Sequence, residues 1–416
     1  MEVSVSSEFG VLEGVILHTP GAEVENMTPE NAQRALYSDI LNLAVAKKEY
    51  QQVKGVLSKV TQTFEIGDLL TKTLSNQTVK EVLIQNICAS EKVLPLVEDL
   101  IDLPAPTLAK LLVEGLPLKR NTLTNFLSKD RYSLQPLYNF YFTRDASISV
   151  NDKVLIGKMA NGVRDREAII MEAIFNHSGE FITSTVNPYN SMDAKAISIE
   201  GGDVIVARED VLLIGNGCRT TTQGIDFILT RLLKRTNKKK FHIIVQELPD
   251  TPESFIHLDM VFTLLDYNKC MVYEPIILEN NKYQTVHITI DNNKVDIKAV
   301  DNMLVALKSL GMDLEPVVCG GTKDIWNQER EQWHSGANFF AFAPGKVMGY
   351  ARNIYTMEQM NKHGFEILRA KDVINNIVDI NSYSKCVVTI DGSELPRGGG
   401  GARCMTMPVR RQSVNW

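Results

Sequence analysis

Short apolar runs interrupted by polar turns recur along most of this 416-residue chain and predict strands. Gly14-Val15-Ile16-Leu17-His18 is the first, stopped by Pro20-Gly21. Others cover Val154 to Gly157, Asp203 to Val206, Val211 to Gly215, His242 to Val245, Met271 to Glu274, Lys346 to Tyr350 and Cys386 to Ile390. Helical stretches fill the intervals, which predicts an α/β or α+β chain. Val204 to Ile214 has the pattern of a hairpin turning at Arg208-Glu209-Asp210, so mixed rather than purely parallel pairing is expected. No sequence-level repeat is strong enough to predict a radial architecture.

Two helical regions stand out. Thr28 followed by Pro29 is an N-cap with proline at the first helical position. Leu36, Ile40, Leu43, Tyr50, Val53 and Leu57 then recur at spacings of three, four and seven, predicting one long amphipathic helix from about 29 to 59. From 68 to 130 the chain turns leucine-rich, with Ser75-Asn76, Pro95, Pro104-Ala105-Pro106, Pro117 and Asn121 as punctuation. This stretch is expected to be a helical bundle inserted into a larger fold spanning 1-67 and 131-416.

Hydrophobic residues at 44% and charged residues at 23% give a globular chain with ample core, in one large domain or two. A net charge of −6 argues against a sequence-independent grip on nucleic acid. No apolar run reaches the roughly 20 residues needed to span a bilayer. The first residues lack a basic segment followed by an apolar core, so no signal peptide is visible and a cytoplasmic location is expected. The six cysteines form no CxxC pair, which disfavours a disulfide framework and a structural zinc site. They are expected to be buried small hydrophobes, with Cys404 the exception.

Cys404 is singled out by its setting, Arg397-Gly398-Gly399-Gly400-Gly401-Ala402-Arg403-Cys404-Met405-Thr406-Met407-Pro408. A glycine run permits positive φ and close backbone approach, and such a loop can present a thiolate to a small molecule. Glycine-rich linkers exist too, but they seldom switch abruptly into Cys-Met-Thr-Met-Pro. A thiol at its ordinary pKa needs a nearby cation or oriented dipoles to become a nucleophile; Arg397, Arg403 and a protonated His257 are candidates for that field.

Three more polar clusters interrupt apolar segments. Asn139-Phe140-Tyr141-Phe142-Thr143-Arg144-Asp145 suggests a half-buried strand ending in an arginine and a carboxylate, or else a plain structural Arg–Asp pair. Glu200-Gly201-Gly202-Asp203 places two acids beside glycines that leave room for a cationic group or a metal, and it would also serve as a turn. In Phe255-Ile256-His257-Leu258-Asp259-Met260, strand geometry would send His257 and Asp259 out on one face, an arrangement suited to acid/base work; a structural histidine or a metal site stays open. One thiol, one histidine and several acids suggest a guanidinium or amidinium substrate, whose charge would offset the acids and help activate the sulfur that attacks it. A carbonyl substrate would want oxyanion donors and fewer acids.

These blocks resemble the signature blocks of the arginine deiminases, in the guanidino-group-modifying superfamily. The likeness extends to Val15 to Gly21, to Arg330-Glu331-Gln332-Trp333 and to Gly349-Tyr350-Ala351-Arg352-Asn353, in the same order over nearly the whole length. The resemblance implies a five-bladed α/β propeller of ββαβ units, a pentein, with a helical insertion at 68 to 130. It implies Cys404 as nucleophile and His257 as general acid/base, with Asp145, Asp259 and Glu200 on the guanidinium. Asn139, Arg164 and Arg219 fall where the family holds the substrate's α-carboxylate, and Asp203 and Arg397 join them as expected substrate-binding positions. No metal or organic cofactor is implied.

The expected reaction is hydrolysis of L-arginine to L-citrulline and ammonia. Rivals are a sister enzyme acting on agmatine or a substituted arginine, an amidinotransferase, a catalytically silent binding protein, and a metal-dependent hydrolase. Some family members carry an arginine, others an asparagine, where this chain has Gly399; Tyr50 stands in place of a histidine often seen in the first helix. A homo-oligomer is compatible with the sequence, which does not specify the number of copies.

Overall fold

The computed structural model describes the whole chain except residues 30–36, 38, 192–193, 234–239 and 293. Its strands form six sheets among the described residues, and five of these share one connectivity. An antiparallel pair is followed by helix and then by a strand that returns parallel to the second member. Ser147–Val150, Lys153–Ile156 and Ser184–Val186 make one such unit, with helix Asp165–His177 between the parallel strands. Val204–Arg208, Val211–Asn216 and Phe241–Glu247 make the next, with helix Thr222–Ile228. Phe262–Asp266, Lys269–Val272 and Glu315–Val318 follow, with helix Met303–Ser309 before the return.

In the fourth, Phe340–Ala343 and Lys346–Tyr350 pair antiparallel, helix Ile354–Lys362 follows, and Cys386–Ile390 runs parallel beside Lys346–Tyr350. The fifth unit joins distant parts of the chain. Met407–Arg411 pairs antiparallel with Leu12–Leu17, helix Leu43–Val60 follows, and Gln62–Glu65 returns parallel. The repeat that the sequence does not display is therefore present in the topology. Side-chain identity is free to drift where only the alternation of apolar positions holds a strand in its sheet.

The short apolar runs form strands to within two residues at their ends, and Val204–Arg208 with Val211–Asn216 is the expected hairpin. The long helix is shorter than expected. Its first turns, Leu36 included, lie outside the described residues, and Ile40 to Asn42 are not helical. The helix begins at Leu43 because the Asn42 side chain accepts from Val45 N and caps it there. Its inward face, Tyr50, Val53, Val56 and Leu57, is buried against the core that also holds Cys404 and Met405.

Helices Ile66–Leu74, Gln77–Ser90, Val97–Ile101 and Ala105–Glu114 occupy the leucine-rich stretch. They do not form a core of their own. Leu70, Ile84, Ile87 and Leu112 pack in one cluster with Ile16, Val154, Ile156 and Met407 from the sheets and Ile170 from helix Asp165–His177. Among the described residues no helix is long and apolar enough to cross a membrane.

Candidate active site

The chemistry-bearing residues share a topological address. Asp145 precedes Ser147–Val150, Glu200 precedes Val204–Arg208, His257 and Asp259 precede Phe262–Asp266, and Cys404 precedes Met407–Arg411. Each lies on the turn that enters the first strand of its unit. Two of these segments differ locally from expectation, and the Glu200 segment takes the turn that its sequence left open. Asn139 to Asp145 is a series of buried turns rather than a strand, with Arg144 N donating to Cys404 O at 3.1 Å. Glu200 opens a 3-10 turn over Gly201–Asp203. His257 opens another over Leu258–Met260, because Asp203 Oδ1 takes Leu258 N at 2.9 Å and withdraws it from any ladder.

Close packing explains the glycines. A Cβ on Gly202 would lie 2.5 Å from the His257 ring, and one on Gly401 would lie 2.7 Å from Asn338 Oδ1. Gly399 has φ 88° with open space around it, so there the backbone conformation itself favours glycine.

Asn139, Phe142, Asp145, Arg164, Arg219, Ile256, His257, Gly398 to Gly400 and Cys404 line one cavity of about 30 Å³. That is room for one or two water molecules, so the glycine loop closes tightly over the sulfur. Cys404 is accordingly buried, and Cys218 is the exposed cysteine, the reverse of the expectation. Of the ten expected site residues, six line this cavity: Cys404, His257, Asp145, Asn139, Arg164 and Arg219. Asp259 and Glu200 contact Cys404 and His257 from behind. Asp203 sits a layer further back, where it holds Leu258 N. Arg397 turns outward to pair with Asp39.

His257 Nε2 donates to Glu200 Oε2 at 2.9 Å, which leaves Nδ1 facing Asp145 Oδ1 at 3.9 Å. Both of those facing atoms are buried without a hydrogen-bond partner. Burial works against the imidazolium, but Asp145, Glu200 and Asp203 outweigh it and raise His257 to about 9. Burial likewise opposes the Glu200 carboxylate, yet His257, Arg219 and Arg164 bring it down to about 2. Asp203, which has less compensation, is pushed by burial up to about 7.

The thiol lies under the opposite influence. Burial first, then the Asp259 and Asp145 carboxylates, push Cys404 well above the ordinary thiol range. Its Sγ donates toward Asp259 Oδ2 at 3.6 Å and accepts from Asn338 Nδ2 at 3.2 Å. Arg403 supplies part of the expected field and favours the thiolate, but burial and the acids outweigh it, and its guanidinium is shared with Glu8 Oε1 and Asp259 Oδ2, each at 2.8 Å. Arg164 is similarly engaged, at 2.7 Å from both Asp145 Oδ2 and Glu167 Oε2. Arg219 is held more loosely, 3.6 Å from Glu200 Oε1 with 12% of its side chain exposed.

Donor atoms of Asp145, Glu200 and His257 lie within 4.8 Å of one another, a spacing that could hold a metal ion. The Arg164 and Arg219 guanidiniums already stand against this cluster and would repel a divalent ion.

Sequence reading missed Asn338, Glu8 and Glu167. None carries a motif: Glu8 lies 395 residues from Arg403 along the chain, and Asn338 is 66 from Cys404. The Arg330 to Trp333 and Gly349 to Asn353 blocks prove to be scaffold. Gln332 Nε2 donates to Ser254 O and Met260 O, clamping the His257 turn, while Glu331 accepts from Tyr355 N and Thr356 N. Tyr50 OH accepts from His18 N and donates to Met405 O, tying the first strand to the cysteine loop.

A profile of the arginine deiminase family matches residues 33–411. Arginine deiminases of Oenococcus oeni and of Bacillus thuringiensis subsp. konkukian are each 31% identical over 432 residues, covering 99% of this chain and 98% and 99% of the relatives. That of Mycoplasma capricolum subsp. capricolum is 31% identical over 422 residues, covering 99% of this chain and 98% of its own. The fold resembles that of SxtG, an amidinotransferase from Microseira wollei, with TM-score 0.55 at 13% identity over 100% of this chain and 98% of that one. It also resembles the N-terminal domain of ArgZ, a cyanobacterial arginine dihydrolase, with TM-score 0.54 at 12% identity over 96% and 97%. With a family profile spanning nearly all of it and relatives at that identity end to end, the chain belongs to the arginine deiminase family.

Proposed function

We propose that this protein hydrolyses L-arginine to L-citrulline and ammonia through a covalent intermediate on Cys404. One observation carries the site assignment. Asp145 Oδ1 and His257 Nδ1, buried and without partners, line the same cavity as the Cys404 sulfur. Buried polar atoms are costly to leave unpaired, and a guanidinium would supply N–H donors to the carboxylate.

The resting pair is a thiol beside an imidazolium, held so by the surrounding acids. An entering guanidinium offsets Asp145 and Asp259 and lowers the cost of the thiolate, so substrate helps activate its own nucleophile. The thiol proton passes to solvent as the guanidinium enters, and Sγ then adds to the guanidinium carbon and forms a C–S bond. His257 gives its Nδ1 proton to a terminal nitrogen, the C–N bond breaks, and ammonia departs. Water then attacks the thiouronium carbon as neutral His257 takes a proton, the C–S bond breaks, and citrulline and thiol are released. Glu200 fixes the ring orientation throughout, through Nε2.

The five recurring units support a five-bladed propeller of ββαβ units, with 1-67 and 131-416 as its body and 68-130 as a helical insertion. On the same reading Arg219, Asn139 and Arg164 form the amino-acid end of the pocket, and the enzyme works in the cytoplasm without a metal. Cys404→Ser should abolish citrulline and ammonia production from arginine while binding stays measurable by calorimetry. Undiminished turnover would remove Cys404 from the mechanism, and turnover of agmatine in preference to arginine would shift the substrate.

A further inference from the structure

We propose that the Asn338 side-chain amide holds the Cys404 sulfur in place and stabilises it as a thiolate, a function that rests on Cys404 being the nucleophile. Asn338 is 1% exposed, and all four hydrogen-bonding valences of its amide are used. Oδ1 accepts from Arg403 N at 3.0 Å and Cys404 N at 3.2 Å. Nδ2 donates to Asp259 O at 3.1 Å and to Cys404 Sγ at 3.2 Å. The network fixes the amide orientation, since two backbone donors on one side require the oxygen there and leave N–H for the sulfur.

The position in the fold supports the same conclusion. Four of the five units place Asp145, Glu200, His257 with Asp259, and Cys404 on the turn that enters their first strand. In the remaining unit, Phe340–Ala343 is entered from Asn338. Gly401 makes the contact feasible, since a Cβ there would come within 2.9 Å of three Asn338 atoms.

The charged groups around the sulfur give the amide its task. Asp259 and Asp145 oppose the thiolate, and Arg403 and Arg164 are already paired with carboxylates. His257 and Arg219 stand across the cavity. An N–H bond to sulfur favours the ionised form without adding charge that would repel a guanidinium. One side chain thus positions the nucleophile through the backbone at 403 and 404 and tunes it through Nδ2.

Asn338→Asp keeps an acceptor for the two backbone amides but replaces the donor to sulfur by an anion, whereas Asn338→Ala removes the donor without adding charge, so the two together separate the roles. The readout is a pH titration of thiolate ultraviolet absorbance, taken as the difference between each protein and its Cys404→Ser counterpart, beside kcat and KM for arginine. Asn338→Asp and Asn338→Ala should each move the titration to higher pH by about one unit, a roughly tenfold loss of thiolate at a given pH. kcat should fall with KM little changed. A titration that stays in place in folded Asn338→Asp overturns the proposal, even if kcat drops or the alanine variant fails to fold. The titration reads the sulfur directly, so a shift in a protein that leaves arginine untouched would support Asn338 and refute only the proposed reaction.

Discussion

Glu200 Oε2 accepts from His257 Nε2 at 2.9 Å, and this contact leaves Nδ1 as the ring nitrogen that faces Asp145. It also supplies part of the charge that raises His257 to about 9. In the proposed mechanism the leaving ammonia takes its proton from His257, which makes the imidazolium the active form. It is present below about 9 and is lost as pH rises through that value. Activity should therefore fall on the alkaline side near 9. In Glu200→Gln the stabilising anion is gone and that arm should move to lower pH by roughly 1–3 units. Rate profiles with pH for both proteins check this; an arm that does not move would take the proton-donor role from His257.

The glycine loop offers two substitutions with opposite expectations. Gly401→Ala brings its new methyl against Asn338, a contact on both sides of the nucleophile, and overpacking of this kind costs about 1–3 kcal/mol. It should lower both melting temperature and kcat. Gly399→Ala meets no neighbour and bears only the strain of φ 88°, about 1 kcal/mol, so its kcat should stay near the parent value. Equal kcat losses in both would mean that loop flexibility, rather than the contact with Asn338, limits turnover.

The two cavity arginines should respond differently. Arg164→Ala strips Glu167 and Asp145 of a buried partner and should destabilise the fold by about 3–5 kcal/mol, visible in denaturant melts before any kinetic reading. Arg219→Ala loosens only a 3.6 Å contact. If it holds a carboxylate, its loss should weaken arginine by about 1.5–3 kcal/mol in KM and leave agmatine, which has no carboxylate, nearly unaffected. Parallel losses for the two substrates would place Arg219 elsewhere in the mechanism.

Chelator treatment addresses the cluster of Asp145, Glu200 and His257. Arginine turnover should be unchanged after prolonged exposure to EDTA and on adding back divalent ions. Loss with EDTA and recovery with one metal would favour a metal-assisted hydrolase.

The strands were legible because alternating burial writes itself into the residue pattern, as in Val204 to Ile214. The clustering of Cys404, His257, Asp145, Glu200 and Asp259 was legible because polar side chains set in apolar segments need partners. The turn holding His257 was misread as a strand, since its backbone is diverted by Asp203, a partner 55 residues away that local pattern cannot register. Asn42 was missed as a helix start because the apolar spacing runs straight through it. Asn338 has no chemical signature of its own. Its importance arises only when the fourth unit is laid beside the other four.

The pairing of Met407–Arg411 with Leu12–Leu17 has a kinetic consequence. Those strands lie near opposite ends of the chain, and contacts of such separation tend to form late. The sulfur rides on the approach to that last strand, whereas His257, Asp145 and Glu200 belong to units built from nearby sequence. A partly folded molecule would hold acids and histidine but no poised thiol, so competence should appear in a single late step of folding.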